Sequence, residues 1–201
     1  MTEYINLNNL SALYRVGCDR IYDLYQNFSK YYIKTTPRLF PKVSFLSAYG
    51  AFFSEPTHIV DNIYLGSAFN ATNQIQLKKL NIDLILNITP DISNHYPTNF
   101  TYVQCPVQDN GLDKISPHFE TTYDTIISHN NEFTQNILVH CFMGASRSVS
   151  IIVYYLMKNK SYTLDEAIKV VQSKRPIINL SKSFYAELEE AHKKILSEQT
   201  L

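Results

Sequence analysis

Near the start of the chain, apolar residues recur at three-, four- and seven-residue steps: Leu10, Tyr14, Ile21, Tyr25, Phe28 and Tyr32. That spacing puts them on one helical face and predicts an amphipathic helix over about residues 8 to 32. Pro37 and Pro41 end the pattern, and the character of the chain changes near Pro56. From Ile59 onward short apolar runs alternate with helical patterns: IVDNIYLG, a helix over Asn73 to Leu80, the run Ile82 to Ile88, then TYVQCPV. Such alternation predicts an α/β fold with helical crossovers between the strands of a mostly parallel sheet.

The second half is better punctuated. Ser116 and Pro117 occupy N-cap and first-turn positions of a helix whose buried face is Phe119, Tyr123, Ile126 and Ile127. NILVH, Asn136 to His140, is a short β-rich run, and Val149 to Met157 is nearly all apolar, as a buried helix requires. Thr163 to Glu166 forms a capping box for a helix running to Lys174, with Pro176 as its stop. Ser181 caps a last helix with the stripe Phe184, Leu188 and Ile195. Two parts are expected: an N-terminal helical, aromatic extension over 1–56 and an α/β domain over 57–201 with helices flanking its sheet.

Composition narrows the chemistry. With 201 residues, 45% hydrophobic and 18% charged, the chain can bury a full core without staples. Lys+Arg and Asp+Glu both number 18, so no global field draws the protein to nucleic acid or an anionic membrane, and any anion must be held by local geometry. Three widely spaced cysteines, Cys18, Cys105 and Cys141, fit neither a disulfide framework nor a metal site. No signal peptide or membrane span is apparent, and the expectation is an intracellular, reducing setting in the cytoplasm, with the nucleus left open.

The stretch His140-Cys141-Phe142-Met143-Gly144-Ala145-Ser146-Arg147-Ser148 falls between a strand's end and a helix's start. A tight loop there aims backbone N–H groups inward and adds the helix dipole, which suits a dianion. Gly144 permits backbone conformations that a β-carbon forbids, and Arg147 can grip two phosphate oxygens. Cys141 is the nucleophile, held as a thiolate by the helix N-terminus and the arginine. Ser148 donates to the sulfur, and His140 orients the loop from behind without acting as a base. Phe142, Met143, Gly144, Ala145, Ser146 and Arg147 are the phosphate-binding residues.

The run matches the Cys-x5-Arg-Ser/Thr signature and resembles the dual-specificity branch of the cysteine-dependent protein tyrosine phosphatases. The similarity extends over most of residues 57 to 195: IYLGSAFNA, ILNIT, YVQCPVQD, the motif, and Phe184 with Leu188. The resemblance implies an α/β phosphatase fold without cofactor or metal, and hydrolysis of phosphotyrosine and of phosphoserine or phosphothreonine in proteins through a cysteinyl-phosphate. It also implies an acid on a loop about thirty residues before the cysteine. Asp109 matches, with Asp113 in reserve. The sequence departs from the family in having Leu180-Ser181 and Ser183 where Pro-Asn and a Gly are usual.

Rival readings are a phosphatase for RNA 5′ ends or other non-protein phosphates, and a non-catalytic phosphoprotein-binding module. The loop lacks the Lys of phosphoinositide phosphatases and the His-Asn-Arg-Thr features of RNA 5′-triphosphatases, and Phe142 and Met143 favour a protein substrate. The partner expected is a phosphorylated protein, with no nucleic acid or membrane. The aromatic stripe of the extension either buries against its own domain or joins two chains as a homodimer. Loops at Ser67 to Asn73, Asn110 to Ser116 and Ser173 to Ser181 are expected to set substrate choice.

Overall fold

The computed structural model describes residues 45–132 and 135–199, all within one compact unit, Thr36–Leu201. The helix expected over 8 to 32, together with Cys18, lies outside the described residues.

Five strands form the sheet: β1 (Thr57–Val60), β2 (Ile63–Gly66), β3 (Ile82–Asn87), β4 (Thr101–Gln104) and β5 (Asn136–His140). Their order is β1-β2-β5-β3-β4. β2, β5, β3 and β4 run parallel, and β1 pairs antiparallel at one edge. The single run IVDNIYLG thus folds back on itself as a hairpin. Asp61 turns the corner at φ 47°, and its carboxylate accepts from the Tyr155 hydroxyl at 2.7 Å and Lys160 Nζ at 2.9 Å.

Seven helices are described: α1 (Phe45–Phe53), α2 (Ala68–Thr72), α3 (Gln74–Lys79), α4 (Phe119–Glu132), α5 (Arg147–Lys160), α6 (Leu164–Lys174) and α7 (Lys182–Gln199). The two-residue period of the strands separates two cores. Leu84, Leu86, Ile137 and Val139 face the long helices, while Ile85 and Leu138 face the other way, onto Ala71 and Leu77 of the short helices. Ile137, Leu138 and Val139 are all fully buried, as a central parallel strand requires.

Two local expectations change. Ser67 to Asn73 is not an open loop: Ser67 and Asn70 form a reciprocal capping box, and all five residues of α2 are buried. Ser116 is not a side-chain cap; it opens a 3-10 turn, Ser116–His118, leading into α4. The amides at its start are satisfied by Glu187 of α7, whose Oε2 accepts from Ile115 N at 3.0 Å and Ser116 N at 2.9 Å. Elsewhere the caps are as read, with Thr163 and Glu166 reciprocally bonded and Ser181 Oγ accepting from Phe184 N.

Residues 45–55, read from sequence as part of the extension, contact the sheet-bearing domain. Phe52 is fully buried, 5.5 Å from the Phe142 ring and 6.4 Å from that of Phe69. Its carbonyl accepts from Ser67 Oγ at 2.6 Å, and the Ser54 carbonyl accepts from Asn70 Nδ2 at 2.7 Å. Among the described residues no helix is long and apolar enough to cross a membrane.

Candidate active site

The registers place His140, the last residue of β5, between Gly66 of β2 and Asn87 of β3. The loop 141–146 therefore leaves the carboxyl end of the central strand and enters α5 at Arg147. Each of its carbonyls has a donor behind it. Cys141 O faces His140 Nδ1 at 3.4 Å, and Phe142 O accepts from Ala68 N at 3.0 Å. Met143 O and Gly144 O both accept from Arg175, at 3.1 and 2.9 Å. Ala145 O accepts from Asn179 N at 2.7 Å and Ser146 O from Ser150 N at 2.9 Å. A trans peptide unit holds C=O and N–H antiparallel, so carbonyls drawn outward turn the following amides inward.

Two of those amides, of Gly144 and Ala145, act on the Cys141 sulfur. Cys141 Sγ accepts from Gly144 N at 3.3 Å and from Ser148 Oγ at 3.2 Å. Burial, the largest single effect, opposes ionisation of the thiol. The Arg147 charge, the Ser148 hydroxyl, and the Ser148 and Ala145 amides outweigh it and hold the pKa below the ordinary thiol value. His140 is driven the other way: burial lowers its pKa to about 3, leaving a neutral ring beneath the loop. Gly144 is required by space as well as by its φ of 65°, since a β-carbon would stand 2.4 Å from the Gly66 carbonyl oxygen.

Arg147 is buried, and its Nη1 donates to Val107 O at 3.0 Å. That contact ties the loop 141–146 and the start of α5 to the chain two residues before Asp109, which is half-buried. Asp113 has a different occupation. Its carboxylate accepts from Gln108 N and from Asn110 Nδ2, both at 2.9 Å. These bonds, the Gln108 amide foremost, hold it below the usual carboxylate range and make it the staple of the turn. Ser146 does not cap α5 with its side chain; its hydroxyl accepts from Ser181 N at 3.3 Å. The side chains of Phe142 and Met143 are buried, Phe142 against Phe52.

Residues 63–194 match the profile described as dual specificity phosphatase, catalytic domain. The chain belongs to this family. Protein phosphatase Slingshot of Drosophila melanogaster is 35% identical over 134 residues, 67% of this chain and 13% of that protein. Dual specificity protein phosphatase 1 of Homo sapiens is 34% identical over 142 residues, 71% of this chain and 38% of its own length. The chain thus spans well under half the length of these curated relatives. The crystal structure of human DUSP28 shares the fold, with a TM-score of 0.68 at 22% identity, covering 71% of this chain and 96% of the other.

Two further polar residues of this family member had no signal in the sequence. Arg175 is buried beneath the loop, and its acceptors lie between 31 and 124 positions away along the chain. Glu187 caps a turn more than 70 residues before it. Only the fold brings such partners together.

Proposed function

We propose that the chain is a cysteine-dependent protein phosphatase acting on phosphotyrosine and on phosphoserine or phosphothreonine. The observation that carries the reading is the convergence of amide N–H groups, the Ser148 hydroxyl and the Arg147 charge on Cys141 Sγ. The same donors that favour a thiolate are suited to the equatorial oxygens of a phosphoryl group in flight. The Cys141 thiolate attacks phosphorus and forms the S–P bond as the bond to the leaving oxygen breaks. Asp109 gives that oxygen its proton. The resulting carboxylate then takes a proton from water as the water attacks the cysteinyl-phosphate, and sulfur leaves as a thiolate stabilised by Ser148. Asp113, occupied as an ionised turn staple, is the poorer proton donor.

The test is phosphate release from an aryl phosphate and from matched phosphotyrosine and phosphothreonine peptides. Wild type turns over all three, and Cys141→Ser none. Asp109→Asn loses about 10²–10⁴ in rate on the peptides, whereas Asp113→Asn loses far less. Phosphopeptide binding without turnover by wild type would replace this reading with a binding module. Cleavage confined to a 5′-phosphorylated RNA or another non-protein ester would replace the substrate class.

A further inference from the structure

We propose that Arg175 is a positioning residue for the phosphate loop, anchored in part by a segment that precedes the family-matched region. The inference rests on the phosphatase reading above for its catalytic consequence, but its structural basis is independent of it. Arg175 is 2% exposed and donates four hydrogen bonds through its guanidinium. Nε and Nη2 hold the carbonyls of Gly144 and Met143 at 2.9 and 3.1 Å. Nη2 also reaches Ala51 O and Nη1 reaches Thr57 Oγ1, both at 3.2 Å. Ala51 and Thr57 both lie before residue 63, where the family match begins.

The carbonyls chosen are those whose peptide partners do the work. Met143 O shares its peptide unit with the Gly144 amide, which donates to Cys141 Sγ, and Gly144 O shares its unit with the Ala145 amide, which also favours the thiolate. Gripping the two oxygens from behind fixes the direction of two N–H groups in front. A planar, forked cation can do this for two acceptors while reaching two more; an ammonium offers the charge without the fork. The buried cation also sits within the field of Cys141, whose ionised form favours the charged arginine. Burial is nevertheless the larger effect and lowers the guanidinium pKa to about 10, which still leaves it protonated at neutral pH.

The experiment compares full-length wild type, Arg175→Met and Arg175→Lys. Its readings are thermal stability, affinity for inorganic phosphate, the pH profile of iodoacetamide alkylation followed on the Cys141 peptide, and aryl phosphate turnover. Arg175→Met is expected to move the alkylation inflection to higher pH, to weaken phosphate binding about tenfold and to lower kcat by about 10²-fold, the scale of losing an oriented amide donor. Arg175→Lys should remain well short of wild type in phosphate affinity and kcat. A folded Arg175→Met with the wild-type inflection and phosphate affinity would overturn the proposal. Should Arg175→Met fail to fold, Arg175→Lys decides, because wild-type values for phosphate affinity and kcat in that variant would overturn it equally. If wild type hydrolyses no phosphoester, the proposed function falls, while alkylation and phosphate binding still judge Arg175.

Discussion

At the scale of single residues, the two ionisable groups at the end of β5 are pushed apart by different surroundings. Cys141 and His140 are adjacent and both buried, yet one is drawn toward its charged form and the other kept neutral. The sulfur has cationic and N–H partners; the imidazole has a carbonyl and burial. This has a consequence for stability. His140 titrates near 6.5 in the unfolded chain but only at about 3 when folded, so between those values the unfolded state takes up a proton that the folded state refuses. The stabilisation is complete above 6.5 and is lost as pH falls toward 3, at up to about 1.4 kcal/mol per pH unit. Urea unfolding at pH 7, 6 and 5 should show this slope in wild type, and His140→Gln, neutral throughout, should flatten it. Equal slopes in the two would mean that other groups govern the acid limb.

Among elements, the ends matter more than the middles. α5 forms where the apolar run predicts it, and α6 where apolar pattern and a local capping box do, because such a box needs only residues three apart. The start of α4 is different. Its leading turn depends on Glu187 of α7, a carboxylate buried to 5% exposure that accepts two amides at once. Glu187→Ala should cost about 1–3 kcal/mol, the penalty for buried amides left without an acceptor. Glu187→Gln, which keeps an acceptor oxygen, should recover part of that loss. The urea midpoint checks both, and an unchanged midpoint in Glu187→Ala would show that water or a neighbour replaces the carboxylate. The same turn follows the loop bearing Asp109, so Glu187 joins the last helix to the footing of the proposed acid.

For the whole molecule, the loop is the meeting point of segments from across the chain: α1 through Phe52, the start of α2 through Ala68, and the stretch after α6 through Arg175 and Asn179. A chain beginning at Thr57 would lose the fully buried Phe52 ring and the carbonyls that receive Ser67, Asn70 and Arg175. Removing a buried aromatic alone costs about 3–5 kcal/mol, so its melting temperature should fall well below that of the full chain. An unchanged melt would show that 45–56 is dispensable to the domain. By itself the sequence determined the α/β class, the strand NILVH, the buried helix after it and the cysteine-arginine loop, because each is written in period, caps or spacing over a few neighbouring residues. Only the tertiary structure decided the hairpin within IVDNIYLG, the capping by Glu187, the occupation of Asp113 as a turn staple and the grip of Arg175. Each of these depends on where hydrogen-bonding groups lie in space. Asp113 shows how far that holds even locally, since its neighbours were visible in the sequence but the turn that points two donors at its carboxylate was not. For Arg175 the separation is complete: a buried guanidinium must find several acceptors, and the chain supplies them from residues that only folding makes neighbours.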